Sequence, residues 1–169
     1  MSENQKKIWI TGASSGIGKA IAEKFAKENW KVAISARRES LLNDLANHNN
    51  IRSFPLDVSI MQNVQNTFDK ILSEFEGLDI CLFCSGIYNR KTEQEINIDQ
   101  IKKTLEVNFL GTVNCVKAVE KYFKNKKEGQ ISIVSSIAGY RGLPNSSGYG
   151  PSKAALTNFA ESIYFDFKK

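Results

Sequence analysis

The sequence predicts a doubly wound α/β fold: a mostly parallel sheet of about five strands with helices on both faces. Three observations predict it. Short apolar runs rich in strand formers alternate with amphipathic segments along the whole chain. The connections between them are short, as in parallel strand–helix–strand units. And three glycines, Gly12, Gly16 and Gly18, crowd the join between the first apolar run and the first amphipathic segment.

The first strand is read at Ile8-Trp9-Ile10, ahead of the turn Thr11-Gly12-Ala13-Ser14-Ser15-Gly16-Ile17-Gly18. In the next segment Ile17, Ile21 and Phe25 recur at helical spacing, with Ala20, Ala22 and Ala26 beside them. Val32-Ala33-Ile34-Ser35 is the second strand; Arg37, Arg38 and Glu39 then open a polar loop and a helix containing Leu41, Leu42 and Leu45. A third strand at Ile51-Arg52-Ser53-Phe54 stops at Pro55-Leu56-Asp57. Residues 60–75 form an amphipathic helix with Val64, Phe68, Ile71 and Phe75 on one side, and Gly77 closes it. Residues 80–83 are the most continuously apolar strand, which predicts burial on both faces. One long helix is expected over 98–124, N-capped by Asp99, with Leu105, Phe109, Val113, Val116 and Phe123 building its apolar face. The fifth strand is Ile131-Ser132-Ile133-Val134. After a Gly- and Ser-rich loop, Leu156, Phe159, Ile163 and Phe167 recur on the last helix.

A chain of 169 residues can build one domain with a real core. Hydrophobic residues make up 41% and charged residues 24%, the balance of a globular protein. Part of the +5 formal charge comes from Lys124, Lys126, Lys127, Lys168 and Lys169, read as a solvated face. Nucleic-acid binding is not expected, because these lysines are not gathered with aromatic platforms or a recognition element. No apolar run approaches the roughly 20 residues of a bilayer span. Residues 1–7 are polar and lack the apolar core of a secretory signal. No membrane role is therefore expected, and a reducing, cytoplasmic setting is. Cys81, Cys84 and Cys115 make no disulfide framework. Cys81 and Cys84 share a C-x-x-C spacing, but positions three apart on a strand point to opposite faces. Both are read as core residues rather than a metal or redox pair. His48, the one histidine, sits in a polar loop, and no metal site is expected.

The glycine turn carries the first chemical signal. Glycine permits a tight turn and close backbone approach, and a helix N-terminus offers free amides to a pyrophosphate. With a strand before it and a helix after it, the turn predicts dinucleotide binding, with Ser14 and Ser15 adding hydroxyl contacts. The end of the second strand selects the cofactor. An acidic residue there would suit a free ribose; this chain has Ser35-Ala36-Arg37-Arg38 instead. Arginine forks onto phosphate. Arg37, supported by Arg38 or Ser35, therefore points to NADP, with NAD as the alternative.

In order along the chain stand the glycine turn, then Asp57-Val58, Asn108, Ser135-Ser136 and Tyr149-Gly150-Pro151-Ser152-Lys153. Together these motifs resemble the single-domain short-chain dehydrogenase/reductase family. The resemblance covers the whole chain. It implies a Rossmann-type sheet in the order 3-2-1-4-5 and hydride transfer between nicotinamide and a carbonyl or alcohol substrate. It makes Tyr149 the general acid/base. Lys153, four positions on and on the same helical side, is the ammonium that favours the phenolate and also holds the nicotinamide ribose. Ser136 would hydrogen-bond the reacting oxygen, with Ser135 facing elsewhere; Asn108 would position a water in a proton relay. The alternative for Asn108 is a polar helix residue that merely kinks or caps. Asp57 would contact adenine, and Ser85-Gly86 would line the cofactor. Tyr140, Arg141, Leu143 and Pro144 would border the substrate pocket.

The sequence departs from the family in one loop. Where relatives read Asn-Asn-Ala-Gly, this chain reads Phe83-Cys84-Ser85-Gly86, so both amides that tie the central loops are missing. The resemblance also implies further C-terminal elements that would cover the substrate. Residues 1–169 are thus expected to be a single NAD(P)-binding domain lacking that part, with Ile131, Ile133 and Val134 on an exposed sheet edge. A truncated chain of this kind is expected to bind NADP weakly and to be a poor enzyme. The rival readings are a non-catalytic NADP-binding protein or fragment, and a relative using the same tyrosine and lysine for epimerisation or dehydration. Homo-dimers or homo-tetramers are expected through the last two long helices, as in relatives.

Overall fold

The structure, a computed structural model, describes residues 5–90, 93 and 95–168. Residues 1–4 of the polar N-terminal segment and Lys169 of the terminal lysine run lie outside the described residues.

Five strands form one parallel sheet: β1 (Lys7–Thr11), β2 (Lys31–Ser35), β3 (Ile51–Ser53), β4 (Ile80–Phe83) and β5 (Gln130–Ile133). Their order is β3-β2-β1-β4-β5, as the resemblance implied. β1 is flanked by β2, with Ile8 beside Val32, and by β4, with Ile8 beside Ile80. Strand order reverses there, and in such sheets a crevice opens at the carboxyl ends of the strands. Side chains alternate through the sheet. Ile8, Ile10, Val32 and Ile34 pack under α1 (Gly16–Lys27) and α2 (Glu39–Leu45). Trp9, Ala33, Cys81 and Phe83 pack on the other face against α3 (Met61–Phe75) and α5 (Gly111–Lys126). Trp9 is wholly buried, and its indole N–H donates to Ser35 Oγ at 2.9 Å. That satisfies a polar group which burial would otherwise penalise.

Several elements differ from expectation. On α1 the buried residues are Gly18, Ala22 and Ala26, while Ile17 is 61% exposed. The helix lies so close to the β1 turn that small residues, not the large apolar ones, face inward. Phe25 turns aside to meet Trp30 edge-on, ring centroids 4.8 Å apart. On β4 only Cys81 and Phe83 are buried; Ile80 and Leu82 are half-buried beside the α1–α2 cluster. The strand is thus fully covered on one face, not two. At the end of α3, Glu76 itself takes the left-handed cap (φ 56°) ahead of Gly77 (φ 127°).

The expected helix over 98–124 is three pieces: α4 (Ile98–Leu105), a π-helical turn at Glu106–Leu110, and α5. Its N-cap is Asn97, whose Oδ1 accepts from Gln100 N at 3.0 Å; Asp99 lies in the first turn. The extra residue of a π turn is invisible to a 3.6-residue period, which explains why the pattern read as continuous. Helix α6 (Tyr149–Phe167) places Phe159, Ile163 and Phe167 against the α3–α5 side of the core. β5 is an edge strand, and Ile131 and Ile133 are half-buried there above a groove of about 760 Å³ shared with α6.

Lys126 is more than a solvated charge. Its Nζ donates to Leu78 O at 2.8 Å and Asp79 Oδ1 at 2.9 Å. Asp79 Oδ2 also accepts from Lys7 N at 2.8 Å, so one carboxylate joins β1, β4 and the end of α5. Partial burial pushes this carboxyl up. The hydrogen bonds from Lys126 and the Lys7 amide, with their charges, outweigh it and leave it below the ordinary value. A depressed carboxyl stabilises the fold above its unfolded value of about 3.9 and loses that effect as pH falls through the folded value. Asp79→Asn is therefore expected to lower stability at neutral pH and to flatten the decline below about pH 4. Urea midpoints measured across that range check it; an acid limb as steep as in wild type contradicts it.

Candidate active site

The loops that follow β1 to β4 meet in a cleft of about 490 Å³. Gly12, Ser14, Ser15, Ile17 and Gly18 supply one wall; Arg37, Arg38, Asp57, Val58, Ser85 and Gly86 line the rest. Gly16 is the exception among the anticipated turn residues. It opens α1 with φ 58° and is not a cleft residue.

Backbone contact explains the other two glycines. At Gly12 (φ 72°), an added β-carbon would lie 2.7 Å from Cys84 O and Ser85 N. At Gly18, it would lie 2.6 Å from Gly12 O. The β1 turn, the start of α1 and the loop after β4 therefore meet backbone to backbone, which draws the N-terminal end of α1 to the cleft wall. That is the shape and polarity a pyrophosphate requires.

Arg38 crosses this turn. Its Nε and Nη2 donate to Ser14 Oγ at 3.2 and 2.8 Å, and Nη2 donates to Ser15 Oγ at 2.7 Å. Arg37 faces Asp57 across the cleft. Burial pushes the Asp57 carboxyl up; the Ser59 hydroxyl and amide, with the Arg37 charge, bring it below the ordinary value. Ser35 corrects the sequence reading. It is fully buried and occupied by Trp9, so it cannot assist the arginines.

The second group of residues gathers on α6. Tyr149 is its first residue, and Lys153 is one turn on. Lys153 is 4% exposed. Its Nζ donates to Val134 O at 2.8 Å and lies 5.7 Å from the centre of the Tyr149 ring. A β-carbon on Gly86 would be 3.7 Å from Nζ, so this group adjoins the floor of the cleft. Burial pushes the Lys153 ammonium down, and its interaction with the nearby Cys84 sulfur opposes that.

Asn108 is fully buried at the centre of the π turn. Its Oδ1 accepts from Ile87 N at 2.7 Å; its Nδ2 donates to Ile87 O at 3.0 Å and to Ser152 Oγ at 3.1 Å. It sits mid-helix in that turn, and its side chain is engaged outside its own helix. It ties the loop after β4 to α6. Ser135 Oγ donates to Lys153 O at 3.0 Å and meets Thr157 Oγ1 at 2.9 Å, so it faces α6. Ser136 caps a short 3₁₀ turn (Ile137–Gly139), its Oγ accepting from Ala138 N at 3.2 Å. That turn packs tightly on α6: a β-carbon on Gly139 would lie 2.9 Å from Lys153 C.

Three features were not anticipated. Cys84 is not a core residue; it is half-buried in the cleft wall near Lys153. Tyr88 stacks on Tyr149, ring centroids 4.6 Å apart and tilted by 34°. Glu93 is buried and accepts from Gly148 N and Tyr149 N at 3.0 and 3.1 Å. The only signal for Cys84 was its place immediately after the apolar strand, where loop residues of this fold face the ligand. Tyr88 and Glu93 belong to a polar loop whose course no periodicity reveals.

A parallel sheet reversing order beside a glycine turn, with a tyrosine and a buried lysine one helical turn apart at the crevice, defines a dinucleotide-linked α/β protein. The comparisons give it a family. The short chain dehydrogenase profile matches residues 6–169, and the chain belongs to that family. It is 33% identical over 166 residues to dehydrogenase/reductase SDR family member 7 of Mus musculus, covering 93% of this chain and 49% of that protein. The Homo sapiens protein of the same name is 34% identical over 165 residues, with 92% and 49% covered. The chain thus spans about half the length of these curated relatives. Among solved structures, ElxO with NADP bound superposes with a TM-score of 0.86 at 31% identity, covering 96% of this chain and 68% of that one.

The backbone contact at Gly12 gives a direct test. Gly12→Ala adds a β-carbon against two backbone atoms and forces a left-handed conformation. It is expected to cost about 3 kcal/mol. Chemical denaturation measures the loss; a variant as stable as wild type contradicts the contact.

Proposed function

We propose that residues 1–169 form a single NADP-binding unit of the Rossmann type, and that the chain is an oxidoreductase exchanging a hydride between nicotinamide and a carbonyl or alcohol substrate. The observation that carries this is the buried Lys153 ammonium, 5.7 Å from the Tyr149 ring and against Gly86 on the cleft floor. A cation is kept out of water beside a phenol at the end of a dinucleotide-shaped cleft. That arrangement has a cost and a chemical use.

Gly12, Ser14, Ser15, Ile17 and Gly18 would hold the pyrophosphate, with Gly16 shaping the turn from outside the cleft. Arg37 and Arg38 would meet a 2′-phosphate, with Asp57 and Val58 flanking adenine. Ser85, Gly86, Tyr149 and Lys153 would flank the nicotinamide half. NADP is favoured over NAD by the two arginines and by ElxO, a similar protein solved with NADP bound. When bound, the cofactor supplies or receives the hydride.

The chain supplies the proton. Tyr149 gives its phenolic proton to the substrate oxygen in reduction and takes it back in oxidation. Lys153, held by Val134 O, stabilises the phenolate that forms. Ser136 donates a hydrogen bond to the reacting oxygen. Asn108 has both ends of its amide engaged by Ile87 and Ser152, which supports a role in fixing the loop that flanks Lys153. Exposed Tyr140 and Leu143 border the approach and favour a partly apolar substrate.

Among the described residues no helix is long and apolar enough to cross a membrane. Three free cysteines support a reducing, cytoplasmic setting. Exposed Leu110, Tyr164 and Phe165 offer apolar surface for self-association as a homo-dimer or homo-tetramer.

Titration with NADPH and NADH, paired with reduction of simple aldehydes and ketones, tests the reading. Tyr149→Phe is expected to lower turnover by about 10²–10⁴-fold with little change in NADPH affinity. Replacing Arg37 and Arg38 by Ala together is expected to weaken NADPH by about tenfold or more and NADH much less. NADPH binding with no turnover would favour the non-catalytic reading.

A further inference from the structure

The first turn of α6 carries Tyr149, and it is capped from a distance. A helix start leaves its leading amides without intrahelical acceptors. Here they can be followed one by one. Gly150 N donates to Ser146 O at 2.9 Å and Ser152 N to Gly148 O at 3.1 Å. Pro151 has no N–H. The amides of Gly148 and Tyr149 remain.

A polar side chain at position 148 would be the usual cap. A side chain there would crowd α4. A β-carbon on Gly148 would come within 3.2 Å of Ile101 Cα and 3.4 Å of Thr104 Cβ on α4. The acceptor comes instead from Glu93, in the segment between β4 and α4. One oxygen, Oε2, accepts from both Gly148 N and Tyr149 N, at 3.0 and 3.1 Å. Glu93 is 3% exposed, and its other oxygen, Oε1, is buried with no hydrogen-bond partner among the described residues. A buried, half-satisfied carboxyl is destabilising. Two amide bonds and the positive end of α6 offset only part of that.

The same segment also holds the Tyr149 ring. Tyr88 stacks on it, and Tyr88 Oη donates to Asn145 O at 3.1 Å, in the loop that leads into α6. Tyr149 is therefore gripped twice by the chain after β4, at its backbone through Glu93 and at its ring through Tyr88. Lys153 approaches the ring from one turn along the helix.

We propose that Glu93 is a positioning residue for Tyr149: its carboxyl fixes the first turn of α6 so that the phenol is held beside Lys153. This rests on the reading of Tyr149 as the acid–base group. Glu93 acts through the Tyr149 backbone and not on the reacting atoms. A carboxyl that only braced the fold would change stability. A positioning carboxyl changes the setting of one ring, and kcat with it, while dinucleotide binding stays as it was.

Two variants separate these roles. Glu93→Leu removes the acceptor; Glu93→Gln keeps one. In the leucine variant, amide exchange at Gly148 and Tyr149 is expected to rise about tenfold or more. The ¹⁹F resonance of fluorotyrosine at position 149, assigned by its loss in Tyr149→Phe, is expected to shift. In carbonyl reduction kcat is expected to fall about tenfold with NADPH affinity unchanged. The glutamine variant is expected to restore all three. The proposal is overturned if the leucine variant matches wild type in exchange and resonance, or if glutamine rescues no better than leucine. Should the leucine variant not fold, Glu93→Asp, one methylene short of the two amides, takes its place with the same expected and overturning results. Exchange and resonance need no turnover. A wild-type chain that reduces nothing would count against the oxidoreductase reading alone.

Discussion

The structure depends most on how one buried ammonium is accommodated. Lys153 is almost fully enclosed, and desolvation of a cation is among the largest unfavourable terms a fold can carry. Its hydrogen bond to Val134 O offsets part of this and fixes the distance between the end of β5 and α6. Ser135 reinforces the same joint by donating to Lys153 O, and the 3₁₀ turn at Gly139 closes on the Lys153 backbone. Strand, turn and helix are thereby locked around one charge. The position of Tyr149 follows from it, because both residues lie on the same side of one helix.

The other half of the cleft depends on contact rather than charge. Gly12 and Gly18 let three backbones touch, and no side chain can be inserted at either without displacing main chain. This explains why α1 buries alanines and glycine instead of its isoleucines. A helix drawn so near the turn has room only for small residues on its inner side. The spacing of Ile17, Ile21 and Phe25 was a true helical signal, but it marked the flank and not the buried face. Periodicity gives the element; the distance to the sheet decides which stripe is inside.

The same distinction runs through the rest of the molecule. The strands, the glycine turn and the Tyr149–Lys153 pair were legible because each is a local pattern with a local cause; the strand order came only with the family resemblance. Asn97 and Asp99 are both good caps, and only the actual start of the helix separates them. The π turn at Asn108 adds a residue that a helical repeat absorbs without trace. Ser35 looked available to a phosphate because the partner that occupies it, Trp9, lies on the neighbouring strand. Glu93 was unreadable for a similar reason. Its partners are 55 and 56 residues away, at a helix start where Gly148 packs closely on α4 and brings no capping side chain of its own.

The loop after β4 shows how a departure from a family pattern can be absorbed. The family pattern has two asparagines where this chain has Phe83 and Cys84, and loss of those amides predicts a looser join. The join is made by other groups. Thr11 Oγ1 accepts from Cys84 N at 3.3 Å, linking β1 to the loop from the strand side. Asn108 engages both the N–H and the carbonyl of Ile87, linking it from the helix side. The loop is thus held at both ends. The Cys84 thiol accepts from the Gly18 amide and lies near Lys153. Burial pushes that thiol up, while the Lys153 ammonium and the Gly18 amide pull it down.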